Sequence, residues 1–226
     1  MEQNKNSTGR APRPATHRRG APKGPRKAKQ RREALLESAG RLFVEKGYES
    51  TTMDEIAADA GFAKGTLYHY FPNKAELLHN LKNAFDEEVA RRIRSTVEKQ
   101  SVDDWQGRVK AWINGAVEAY FSMSELHDVV VYGFGMPFRN EVGHSKVTQS
   151  LARLIAEGAQ AGAWDVDDSR WIAVTMFYSF RGCCDEAMAG GRPAEDIPDR
   201  LHSLFLRMLG VAGNAACPAE GPSGRI

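Results

Sequence analysis

The chain has 226 residues, 42% of them hydrophobic and 27% charged, which is enough to bury one good core and a small second one. Its longest apolar stretch, Trp171 to Phe180, is about half of the roughly 18 to 20 residues that a membrane helix needs, and Asp185 and Glu186 follow soon after, so no membrane span is expected. The formal net charge of +2 hides an asymmetry: residues 1–29 hold nine Lys or Arg against one acid, Glu2, a net of +8, which leaves −6 for the remainder. Such a basic arm suits nucleic acid, and a solvated tail is the alternative that the following residues must decide. The N-terminus lacks the apolar run of a secretory signal. Cys183, Cys184 and Cys217 are an odd number, with an adjacent pair that could bridge only under strain, so reduced thiols and a cytoplasmic location are expected.

Residues 1–28 are rich in Pro, Gly and Arg without apolar periodicity, and predict a disordered basic arm. From about Lys27, Leu35, Leu36, Ala39, Leu42 and Phe43 recur at helical spacing until Gly47 offers a cap. Thr52 and Glu55 form a capping box ahead of Ile56 and Ala57, which predicts a second, short helix. Gly61 supplies the positive φ that ends it, and a third helix follows over about 63–71. Pro72-Asn73 stops the third and caps a fourth, running from Lys74 into the 90s with Leu77, Leu81, Phe85, Val89 and Ile93 on one stripe. Further helices are expected over about 105–123, 125–132, 141–161, 168–188 and 197–209. The helix over 168–188 is apolar nearly all round and should be covered on more than one side. No strand alternation stands out, so the expected class is all-α, with a smaller N-terminal and a larger C-terminal domain.

Two short helices joined by a tight turn, the second lying in a major groove, constitute a helix-turn-helix, here over residues 52–71. With Leu67 and Phe71 turned inward, Lys64 with Tyr68, Gly65 with His69, and Thr66 with Tyr70 form outward rows. Lys can bond guanine, Thr can touch a thymine methyl, aromatic rings can pack on bases, and Gly65 permits close approach. Thr52 and Lys74 bracket the helix where phosphates would lie. The stretch from Gly47 to Leu78, GYESTTMDEIAADAGFAKGTLYHYFPNKAELL, resembles the DNA-binding domain of the TetR family of bacterial regulators, and the resemblance covers about residues 29–89. It implies an all-helical homodimer, a two-fold symmetric operator and a C-terminal domain that binds a small effector. Residue by residue, it places Thr52, Lys64, Gly65, Thr66, Tyr68, His69, Tyr70 and Lys74 at or near DNA. Ala63 departs from the hydroxyl-bearing residue often found before the lysine.

Residues 90–213 are then the expected effector-binding and dimerisation domain, and 214–226 a disordered tail. The resemblance supplies the dimer mode, a bundle made by the last two helices of each chain. Tyr132 to Asn140, YGFGMPFRN, breaks a helix yet keeps three aromatic rings and an arginine, a composition suited to an apolar cavity with a polar anchor. The candidate pocket residues are Trp112, Tyr132, Phe134, Phe138, Arg139 and Phe177, for a largely apolar effector. His127, Asp128 and His144 lack the paired spacing of a metal site, and no nucleophile and base stand at catalytic spacing, so neither metal, cofactor nor enzyme is expected. The expected function is a repressor released from its operator by a small molecule, with activation or thiol response as alternatives within the same family.

Overall fold

A computed structural model of the chain describes residues 24–132, 145–191 and 193–211. The helices are α1 (Pro25–Lys46), α2 (Met53–Asp59), α3 (Lys64–Tyr70), α4 (Lys74–Val97), α5 (Trp105–Ser122), α6 (Ser124–His127), α7 (Lys146–Gln160), α8 (Ser169–Met188) and α9 (Ile197–Met208). A π-helical turn, Asp128–Tyr132, continues α6, and a 3₁₀ turn, Ala194–Asp196, leads into α9. Among the described residues there is no strand.

Local chemistry sets most of these boundaries. Thr52 and Glu55 form the expected capping box, while Asn73, Asp104, Ser145 and Asp168 each accept a backbone N–H with the side chain at the start of α4, α5, α7 and α8. Gly61, at φ +72°, closes α2: its N–H reaches the Ala58 carbonyl at 3.1 Å, and the Phe62 N–H reaches that of Ala57 at 2.8 Å. This reciprocal pair satisfies two carbonyls that the helix end would leave open. Three boundaries differ from expectation. Helix α1 begins at Pro25, so residues 25–28 belong to the helix and not to the arm, because proline at the first position is already set at the helical φ. Helix α7 begins at Lys146, because Ser145 is extended and caps it, and residues 141–144 of the expected helix lie outside the described residues. The expected helix over 125–132 is helical throughout but changes to π geometry after His127.

Two cores result. Leu35, Phe43, Ile56, Leu67, Phe71 and Leu77 are fully buried in the first. Trp112, Ile113, Leu151, Ile155, Met176 and Phe205 are buried in the second. Helix α4 enters both, with Leu77 and Leu81 in the first, Val89, Ala90 and Ile93 in the second, and Phe85 packed against each. The second core is held to α4 by close approach of α5. A Cβ at Gly115 would lie 2.6 Å from Thr96 Oγ1 and 3.1 Å from Ile93 Cα, and that hydroxyl donates to the Ala111 carbonyl at 2.9 Å. Helix α8 is covered on one side only within the single chain: Ala173, Met176, Phe180 and Cys184 are buried, whereas Trp171 is 71% exposed and Tyr178 40%. The expectation of cover on more than one side is not met by this chain alone.

Helix α7 ends against Trp164, whose indole N–H donates to the Ile155 carbonyl at 2.8 Å and whose ring packs over Gly158. A methyl group at Gly158 would meet that ring directly. Gly158→Ala should therefore cost about 1–3 kcal/mol by overpacking, read as a lower urea midpoint at unchanged slope.

Candidate DNA interface and effector cavity

Helix α3 is fixed from behind by Leu67 and Phe71, both 0% exposed. Its outer row holds Lys64, Tyr68 and His69 in the open, with Gly65 exposed and nothing near its α-carbon face; Thr66 and Tyr70 are half-buried at the edge. Lys64 Nζ donates to Asp54 at 2.8 Å and lies 5.7 Å from the Tyr68 ring centre. That carboxylate holds the ammonium charged, raising its pKa through the hydrogen bond first and charge second. Thr52, Lys64, Tyr68 and Lys74 share one shallow depression with Glu49 and Asp54. Lys74 does more there than expected. Its ammonium donates to the carbonyls of Tyr48 at 2.8 Å, Thr51 at 3.1 Å and Glu49 at 3.2 Å, over the Tyr48 ring at 4.2 Å. The buried Thr51 hydroxyl donates to the Gly47 carbonyl at 2.8 Å, so the loop between α1 and α2 is clamped from two sides. Glu55 is held near a pKa of about 2 by Lys46 first and then by the Thr52 amide and hydroxyl, which keeps the cap ionised. No side chain caps α3, because Ala63 has no acceptor to offer.

A cavity of about 330 Å³ opens between α4, α5, α7, α8 and the segment after α5. Phe85 and Val89 of α4, Ala116 of α5, Val131, Val147 and Phe177 with Phe180 supply its apolar wall. Its polar groups include Lys82, Asp86, Tyr120, His127, Thr148, Tyr178 and Arg181. Asp86 accepts the Lys146 amide at 2.6 Å, and burial pushes its pKa up despite that bond. His127, 7% exposed, packs against Tyr120 and Tyr132 at 4.8 and 5.3 Å between ring centres, and burial lowers its pKa. Asp185 accepts the hydroxyls of Tyr120 and Tyr132, the latter at 2.9 Å, and ties α5, the π turn and α8 together.

Residues 35–81 match the family model for bacterial regulatory proteins of the tetR family. The HTH-type transcriptional repressor KstR2 of Mycobacterium tuberculosis is 38% identical over 104 residues, 45% of this chain and 49% of that protein. The HTH-type transcriptional activator FasR of Mycolicibacterium smegmatis is 30% identical over 137 residues, 61% of this chain and 58% of that protein. The fatty acid degradation regulator FadR of Bacillus halodurans has the same fold, with a TM-score of 0.63 at 22% identity over 82% of this chain and 97% of that one. The stretch 35–81 is thus a tetR-family DNA-binding domain. It spans about half the length of the two curated relatives, so the likeness is strongest where the family model matches, from within α1 to within α4. Most of the cavity lies beyond that stretch.

The candidate residues fall unevenly around these two features. Four of the eight DNA candidates share the depression, while Gly65 and His69 lie exposed beside it and Thr66 and Tyr70 sit at its edge. Of the pocket candidates, Phe177 lines the cavity. Trp112 does not: it is 1% exposed, donates to Ser150 Oγ at 3.0 Å and packs edge-on against Phe180, because its large ring is drawn into the core. Tyr132 flanks the cavity through His127 and Asp185 without being part of its wall. Phe134, Phe138 and Arg139 lie outside the described residues. The charged lining residues Asp86 and Lys82 were missed, since they stand on the helical stripe of α4 beside apolar neighbours and look like solvated positions. Helical spacing from Phe85 and Val89 would have placed Asp86 and Lys82 near the same face.

Two substitutions in the DNA-reading domain should shift stability in opposite directions. Lys74→Met removes a charged clamp on three carbonyls and should cost about 1–2 kcal/mol, beyond any effect on DNA. Ala63→Ser gives α3 a capping oxygen and should gain about 0.5–1 kcal/mol. Thermal midpoints of the two variants against the parent chain check both signs.

Proposed function

We propose that this chain is a cytoplasmic, homodimeric repressor that sets two α3 helices in successive major grooves of a two-fold symmetric operator and leaves it when a small, largely apolar molecule enters the cavity. Residues 29–89 form its DNA-reading unit and 90–213 its effector and dimer unit, with 1–28 contributing positive charge. One observation carries the reading: α4 is buried through Leu77 and Leu81 in the core behind α3 and then lines the cavity with Phe85, Asp86 and Val89. Occupancy of the cavity therefore acts on the helix that positions the DNA-reading unit. Two half-sites bind together only when the paired helices stand about one DNA turn, roughly 34 Å, apart, so a small tilt suffices. The apolar residues left open on α8 and α9, Trp171, Tyr178 and Leu204, support a dimer through those helices. No catalytic step enters this reading.

Activation is the second reading, favoured by the match to FasR over a longer stretch than to KstR2. Mapping the operator separates them: a site over the promoter fits repression, and one upstream fits activation. A thiol response finds little support, since Cys184 is fully buried with its thiol pushed up to about 12 by burial.

Lys64→Ala should cost roughly 1–3 kcal/mol on operator DNA and relax sequence preference, as for a side chain that reads a base edge. Asp54→Asn should do the opposite to affinity, strengthening binding to any duplex by releasing Lys64. Gel-shift titrations on operator and scrambled DNA check both, and normal binding by both variants would remove Lys64 from the interface.

Calorimetric titration of an effector with and without operator tests the release mechanism. A hundredfold loss of operator affinity requires a coupling of about 2.7 kcal/mol, and reciprocity demands the same factor in ligand affinity. Equal ligand affinities in the two titrations would rule the mechanism out.

A further inference from the structure

Arg181 is the feature of the cavity that the fold leaves incomplete. Its side chain is 13% exposed, on α8, beside the aromatic wall formed by Phe177 and Phe180. The guanidinium lies over the Tyr132 ring at 4.9 Å and is paired with Asp185 only at 3.9 Å, too far for a hydrogen bond. Asp185 is turned instead to the hydroxyls of Tyr120 and Tyr132. Among the described residues, none accepts a hydrogen bond from Arg181, although a guanidinium carries five N–H donors in a planar fork. The stacking ring and the distant carboxylate thus hold the group in place without occupying its donors.

The other acid of the cavity does not balance it. Asp86 already accepts the Lys146 amide, and its burial favours the neutral carboxyl. Lys82 adds a second cation to the lining. A cationic ligand would meet like charge at Arg181, whereas a neutral apolar ligand would cover the fork and leave its donors unmet. A monoanion with two parallel oxygens matches a single fork in both charge and geometry.

We propose that the effector is an amphipathic carboxylate, its headgroup paired with Arg181 and its apolar body laid against Phe85, Val89, Phe177 and Phe180. The proposal rests on the effector reading above and narrows it to a chemical class.

The test is calorimetric titration of the full chain with straight-chain carboxylates of about six to twelve carbons and with 4-phenylbutyrate, each beside its primary amide and its amine. At least one carboxylate should bind about tenfold or more tighter than its amide, the amine weakest. Arg181→Gln should bring that carboxylate down to the affinity of the amide, and Arg181→Lys, which keeps the charge but not the fork, should fall between. A urea transition on each variant confirms that it is folded. Amides binding as tightly as carboxylates, or a preference that survives in Arg181→Gln, would overturn the carboxylate assignment while leaving the effector reading standing. Failure of every compound, charged and neutral, to bind the parent chain would overturn both.

Discussion

Leu77 and Leu81 on one side of Phe85, and Val89 and Ile93 on the other, bury a single unbroken helix in two separate cores. At 24 residues and about 1.5 Å per residue, α4 is roughly 36 Å long, and no glycine or proline interrupts it. Most other features of the molecule follow from that shared helix. The first core holds α3 at a set distance from the start of α4 through Leu67 and Phe71. The second core fixes the far half against α5 at Gly115, where the backbones approach too closely for a side chain. Neither half can rotate alone without breaking a packed surface, so the cavity wall on α4 and the outward row on α3 belong to one mechanical unit.

A second connection runs beside the first. Val130 of the π turn is 5% exposed within the first core, where Leu126, Val129 and Val131 also pack, while His127 and Val131 line the cavity. The same short segment therefore presents one side to each domain. Its π geometry matters, because a widened turn lets residues only a few positions apart serve surfaces that regular α spacing would not place there. A molecule that displaced His127 would act on Val130 three residues later. With α4 on one flank and this segment on the other, the cavity has two points of purchase on the N-terminal domain.

What could be read from the chain and what could not divide along the range of the interactions. The capping box of Thr52 and Glu55, the left-handed Gly61 and the inward pair Leu67 and Phe71 are decided within a few residues, and sequence spacing displays them. The Lys74 clamp joins positions 23 to 26 residues apart, and the Asp54 to Lys64 pair joins two helices across a turn; neither leaves a local signature. The cavity was harder still: Arg181 and Asp185 stand four apart on α8 and could be paired by spacing, but Tyr120 and Tyr132 come from two other elements and only packing brings them together. Trp112 illustrates the bias that this creates: aromatic residues attract attention as pocket candidates, yet the largest ring is also the one that gains most from full burial. The start of α1 is a different case, since proline at the first helical position was a readable signal that the basic composition of the arm obscured.

Electrostatics then decides how the DNA-reading surface can work. Lys64 is paired with Asp54, Lys74 is engaged with three carbonyls, and Arg41 and Lys46 are tied to Asp59 and Glu55. The outer row of α3 is completed by Tyr68, His69 and Gly65, groups suited to shape and edge contacts more than to phosphate attraction. Away from residues 1–29 the chain carries a net of −6, against +8 within them. A duplex approaching the α3 face thus meets mostly paired cations there, and long-range attraction falls to residues 1–29, whose charge lies partly before α1 and partly on its first turns. The division would suit a regulator that must discriminate, because under the proposed reading charge near the terminus adds affinity for every sequence equally, while Lys64 would reach a base only where the contacts formed offset the loss of Asp54.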